Sequence, residues 1–150
     1  AENMLIYTSA ATRPMTLDDL RALLRAARAH NAAAGISGLL LHVDGAFLQV
    51  LEGRHELVQA LYARIRRDSR HTGAYVLLDT PIVRRSFGDW SMAYAGMTRA
   101  ELGTLPGLSD FFLRGDPLAA LSPGLAQALV RGFVEACASG RVRPDTPAAD

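Results

Sequence analysis

Two apolar, β-rich runs, Ile36–Val43 and Ala46–Glu52, flank the dipeptide Asp44-Gly45. Asp-Gly in that setting signals a tight β-hairpin, because the central turn positions need backbone conformations that these residues tolerate. In the second arm Phe47 and Leu51 point one way while Leu48 and Val50 point the other. Both faces of this strand are therefore apolar, and each needs a cover.

The elements around the hairpin follow from periodicity and caps. Met4–Ser9 reads as a first strand, with Ala1–Asn3 set aside as a processing remnant. Thr16, with Asp19 three residues on, caps a helix over Leu17–Ala33 that Gly35 stops. Glu56–Asp68 has helical spacing. Tyr75–Asp79 and Trp90–Ala95 read as two further strands, with Pro81 interrupting between them. The order βαββαββ contains the split βαβ, ferredoxin-like arrangement, an α+β sandwich with helices on one face of an antiparallel-rich sheet.

Residues 98–123 are rich in Leu, Gly and Pro. Ser122–Ser139 then reads as a helix, with Ser122 as cap, Pro123 at the first position and Gly140 at the stop. This gives a domain over residues 4–97, a C-terminal helical extension over 98–141 and a disordered tail over 142–150. The extension, or a second copy of the chain, is expected to cover the sheet's other face.

Composition narrows the function. In 150 residues, 49% are hydrophobic, enough for a core. The 16 basic and 15 acidic side chains nearly cancel, leaving no footprint for nucleic acid or a membrane surface. Cys137 is the only cysteine, which excludes an internal disulfide and suits a reducing, cytoplasmic setting. No run approaches the roughly 20 apolar residues of a membrane span. The four histidines are scattered, and no metal site is expected.

Polar side chains interrupt faces that should be apolar. Asn31 ends the stripe Leu20–Leu24–Ala27 on the first helix. On the second, Leu57, Leu61 and Ile65 form the stripe, with Arg64 and Asp68 along its edge. Gln49 lies between Phe47 and Leu51, and Tyr7 between Leu5 and Ser9. Each has an ordinary reading: a helix cap, a snorkelling arginine, a satisfied core amide, a bonded core tyrosine and a solvated aspartate. Together they also suit a flat apolar ligand with a polar edge, since an unpaired buried polar group costs about 1–3 kcal/mol.

The same positions carry a resemblance. LIYTS at Leu5–Ser9, HNAAAGISGLLL at His30–Leu41, FLQVLEG at Phe47–Gly53, RIRRDSRH at Arg64–His71 and RRSFGDWSM at Arg84–Met92 occur in the order and spacing of the BLUF family. The chain resembles the short, single-domain members of these flavin-binding blue-light sensors over roughly residues 4–97. The resemblance implies a photoreceptor, not a turnover enzyme, binding FAD (or FMN) non-covalently. It implies that Tyr7 is the light-driven electron and proton donor and that Gln49 bridges Tyr7 and the flavin. Asn31 and His30 would lie at the ring's polar edge, Arg64 and Asp68 at the pyrimidine or ribityl–phosphate side, and Ser9 and Ser37 on the pocket wall. Trp90 and Met92 would change their packing with light, and the signal would pass to a protein partner or within a homo-oligomer.

Two alternatives stand beside it. One is an acylphosphatase-like hydrolase using Asn31 and Arg64 on phosphate, which leaves Tyr7, Gln49, Trp90 and Met92 without a role. The other is a ferredoxin-like binding module without photochemistry, since a fold alone does not fix function.

Overall fold

In a computed structural model, residues 1–43, 45–88, 91–96 and 123–138 are described. Strands β1 (Glu2–Ala11), β2 (Ser37–Val43), β3 (Ala46–Arg54), β4 (His71–Ile82) and β5 (Ala93–Gly96) form one sheet in the order β4-β1-β3-β2-β5. Helix α1 (Leu17–Ala34) links β1 to β2, and α2 (His55–Arg66) links β3 to β4. Strand β3 is inserted antiparallel between β1 and β2, and β1 separates β3 from β4. This is the split-βαβ, ferredoxin-like α+β fold, with β5 added parallel to β2.

Local chemistry sets the boundaries. Thr16 and Asp19 exchange side-chain-to-backbone hydrogen bonds at 3.0 Å, a complete capping box for α1. Gly35 ends the helix at φ +69°, a left-handed conformation that glycine adopts without a Cβ penalty.

Four elements depart from the sequence reading. Strand β1 takes in Glu2 and Asn3, so two of the three residues set aside as a remnant belong to the sheet, and the Glu2 carboxylate binds Arg85 at 2.9 Å. Strand β4 runs the whole of His71–Ile82, with Pro81 inside it. Strand β4 is an edge strand, where half the backbone N–H groups face away from the sheet and proline is tolerated. On α2 the buried residues are Val58, Leu61 and Tyr62, while Leu57 is exposed, so the stripe lies one residue over from the expected one. Strand β5 begins only at Ala93.

Side-chain alternation divides the core. Leu5, Tyr7, Phe47, Leu51 and Leu40 face the helices and pack with Leu20, Leu24, Val58 and Leu61. On the other face Ile6, Leu39, Leu41, Leu48 and Val50 are fully buried. Helix α3 (Pro123–Ala138) lies against β4 and buries Ala126, Leu129 and Val130. Ser122, Gly140 and the expected tail lie outside the described residues, as does Asp44 of the hairpin turn, whose Gly45 has φ +79°.

Candidate functional site: a cleft between the helices and the sheet

Tyr7 on β1 and Gln49 on β3 are direct cross-strand partners in a ladder that stays in register from Glu2 to Ala10. Opposed residues project side by side on one face, with Cβ atoms about 5 Å apart. The Tyr7 hydroxyl donates to Gln49 Oε1, and both side chains are buried. On its other side β1 is irregular, with register shifts against β4 after Ile6 and after Thr8. Such bulges re-aim side chains, and these bracket Tyr7.

Gln49 Nε2 then reaches Met92 Sδ at 3.7 Å. A thioether is a weak acceptor, so this buried amide keeps most of its donor capacity unspent. Met92 stands just ahead of β5 and is itself buried. Tyr7, Gln49 and Met92 thus form one connected run along the floor of a cleft of about 190 Å³.

Helix α1 contributes Leu23, Ala26 and Ala27 to one wall, and α2 contributes Leu61 and Ile65 to the other. Two apolar walls above a polar floor suit a flat ring with hydrogen-bonding edges. Asn31 and His30 enter from the C-terminal end of α1. The Asn31 side chain is no helix cap: its backbone carbonyl accepts from Gly35 and Ile36, while its amide turns inward and donates to the Ser91 carbonyl at 2.7 Å. Arg64 lines the mouth, exposed, and among the described residues it has no side-chain hydrogen bond or ion pair. Asp68 also lines the cleft, and its carboxylate accepts from Arg70 Nε at 2.9 and 3.1 Å.

The structure brings Tyr7, Ser9, His30, Asn31, Gln49, Arg64, Asp68 and Met92 together on this cleft. Ser37 does not line it. Ser37 occupies the opposite face of β2, where its hydroxyl donates to Glu52 at 3.1 Å. Strand alternation explains this: Leu40 faces the helices, and Ser37 stands three positions before it, an odd offset that turns its side chain to the other face. Trp90 lies outside the described residues.

Residues not singled out in the sequence also line the cleft, namely Met15, Arg70 and His71. Arg70 and His71 close the stretch that begins at Arg64, so their proximity to Asp68 was a usable signal. The ring of Tyr62 lies 5.1 Å from that of Tyr7, tilted by 55°. It was hidden because the helical stripe on α2 was phased one residue off.

The electrostatics keep Tyr7 neutral. Burial pushes its phenol well above the ordinary tyrosine range, and Tyr62 and the Asp68 carboxylate add to the shift. Asp68 moves the other way, down to about 2, chiefly through the hydrogen bond from Arg70. A proton donor held protonated beside an amide that both donates and accepts is a unit able to pass a proton and change its hydrogen bonds.

Fold and cleft together define a small ligand-binding α+β domain whose floor carries a tyrosine–glutamine proton pair. The chain belongs to the BLUF family, the sensors of blue-light using FAD, whose family model matches residues 3–93. It is 44% identical over 107 residues to the photoactivated adenylate cyclase subunit beta of Euglena gracilis, covering 71% of this chain and 12% of that protein. The chain thus spans about an eighth of that relative's length. Among solved structures it is similar to the ground state of BlsA, with a TM-score of 0.76, 29% identity and coverage of 89% and 88% of the two chains. It is also similar to the dark state of the BLUF protein BlrB, with a TM-score of 0.72, 30% identity and coverage of 90% and 96%. The BLUF family is one of flavin-binding blue-light sensors, and the residues of this cleft fit a flavin. Asn31, Gln49 and Arg64 line the cleft and carry the N–H groups that a carbonyl-bearing ring edge requires. Among the described residues no helix is long and apolar enough to cross a membrane.

Proposed function

We propose that this domain binds FAD non-covalently in the cleft and converts blue light into a rearrangement of the contacts between Tyr7, Gln49 and Met92. The observation that carries the reading is the hydrogen-bonded run from the Tyr7 hydroxyl through the Gln49 amide to the Met92 thioether. A bound flavin supplies blue absorption and, when excited, oxidising power, neither of which side chains provide.

The chain's own residues do the rest. Tyr7 is the electron source, and its phenolic proton has an exit already formed, the Gln49 carbonyl oxygen. Gln49 both donates and accepts, so rotation or tautomerisation of its amide changes what it offers to the ligand and to Met92. Asn31 and His30 hold the polar edge of the ring. Arg64, without a protein partner among the described residues, takes the pyrimidine or ribityl–phosphate side, and Asp68 acts there by fixing Arg70. The cleft works as a sensor without turnover.

Met92 leads into β5, and we place the output in the segment that follows. Residues 4–97 act as the sensor and 98–141 as the extension that carries the signal to a protein partner or a second copy. Packing of α3 against β4 supports that division. The lone Cys137 fits a reducing, cytoplasmic setting.

The test is an absorption spectrum of the purified protein before and after blue light, with the released flavin identified by chromatography. The expected result is a yellow protein carrying FAD, with a red shift that reverses in the dark. Folded protein that takes up no flavin when supplied with FAD overturns the reading.

A further inference from the structure

Met92 is held from two directions. Its thioether sits against Gln49 Nε2, and its backbone carbonyl accepts Arg28 Nε–H from α1 at 2.9 Å. One residue earlier, the Ser91 carbonyl accepts Asn31 Nδ2–H. Arg28 and Asn31 are three residues apart on α1, so they share a helix face and grip consecutive carbonyls.

Upstream, the same connection is pinned from the opposite side of the sheet. The buried Glu52 carboxylate accepts the backbone N–H groups of Ser86 at 2.6 Å and Phe87 at 2.9 Å. The segment entering β5 is therefore fixed at residues 86–87 and again at 91–92. Arg28 is half-buried and does not line the cleft. Its bond to Met92 is charge-assisted, and so stronger than a bond between neutral groups.

We infer that Arg28 is a positioning residue of the light switch: by holding the Met92 carbonyl it keeps the thioether seated against Gln49 and sets how fast the dark arrangement is regained. This rests on the photochemical reading above. The physical reason is entropic. Re-forming the Gln49–Met92 contact requires the Met92 backbone to be in place. A released carbonyl adds dihedral freedom that must be lost again on the way back.

The experiment uses the full chain carrying flavin, with Arg28→Ala, Arg28→Gln and Arg28→Lys. Flavin content, melting temperature, amplitude of the red shift and dark-recovery rate are measured for each. Arg28→Ala and Arg28→Gln are expected to keep flavin content and amplitude while recovery slows about threefold to tenfold, the scale of one charge-assisted hydrogen bond partly formed at the barrier. Arg28→Lys keeps the charge and a donor without the fixed Nε–H direction, and should recover at an intermediate rate. Wild-type recovery in both Arg28→Ala and Arg28→Gln overturns the inference. Folded Arg28→Gln that loses flavin or alters the amplitude also overturns it, since Arg28 would then be a binding residue. A wild-type protein that binds flavin without any reversible shift defeats the photochemical reading itself, a result distinct from either.

Discussion

The Glu52 carboxylate caps the backbone of the β4–β5 connection, accepting the N–H of Phe87 at 2.9 Å from a position with no solvent exposure. It also accepts from Ser86 and from the Ser37 hydroxyl. Three donors converge on one buried acid three residues along β3 from Gln49, on the opposite face of the sheet.

Glu52→Ala removes that acceptor and strands two backbone N–H groups. The expected loss is about 2–4 kcal/mol in urea unfolding, since each unsatisfied buried group costs about 1–3 kcal/mol. Glu52→Gln keeps the shape and an acceptor oxygen, and should lose less. Equal stability of Glu52→Ala and wild type would show that the cap is not needed.

Tyr7→Phe keeps the ring but removes the donor to Gln49. It is expected to bind flavin with near wild-type stoichiometry and show no reversible red shift. Gln49→Leu should behave alike, because leucine neither accepts from Tyr7 nor donates onward. Illuminated difference spectra decide both, and an intact shift in Tyr7→Phe would remove Tyr7 from the mechanism.

The pH response follows from two opposite shifts. The Tyr7 phenol is raised in the fold, so above about pH 10 the unfolded chain releases a proton that the folded chain retains. Stability therefore falls as pH rises beyond that point, and less steeply in Tyr7→Phe. The light-induced shift should persist up to about pH 10, because Tyr7 remains a donor throughout. Asp68 is depressed to about 2, so its contribution is complete above the unfolded value and disappears as pH falls from about 4 towards 2. Its carboxylate is partly exposed, which limits that contribution to about 1 kcal/mol. Urea titrations of wild type and Asp68→Asn across pH 2–6 measure it: the two curves should converge at the acid end.

Gly38 on β2 has no room for a side chain. An added Cβ would lie 2.0 Å from the Val50 carbonyl oxygen of β3. Neighbouring backbone cannot yield as a flexible side chain does, so Gly38→Ala should cost at least about 2 kcal/mol. The displaced strand carries Leu40, the partner of Gln49 in the ladder. Any folded Gly38→Ala protein should therefore show an altered dark absorption maximum. A melting curve and a dark spectrum at wild-type values would refute this.

Local signals in the chain located most elements. The Thr16–Asp19 box and Gly35 delimit α1 because caps are short-range chemistry. Asp44-Gly45 and the alternation around it place the β2–β3 hairpin for the same reason. Alternation also put Tyr7 and Gln49 each on an apolar face, and the resemblance to BLUF motifs implied a role for each. The extent of β4 was harder to read, because an edge strand with exposed side chains lacks the apolar alternation of a buried one, and its Pro81 is tolerated only at an edge. Ser37 was misread as a wall residue, since a motif gives position along the strand and not which face the pleat turns to the ligand.

Residue order alone sets which positions are apolar, which turns and caps bound each element, and which polar side chains interrupt core faces. The assembled fold is needed to bring Tyr7 opposite Gln49, to carry Met92 to the same amide, and to let Arg28 and Glu52 grip the connection before β5 from opposite sides of the sheet. Those relations depend on register and on contacts between residues more than forty positions apart for Tyr7 and Gln49, and sixty-four for Arg28 and Met92. No local periodicity encodes such distances; they are set when the strands pair and both faces of the sheet are buried.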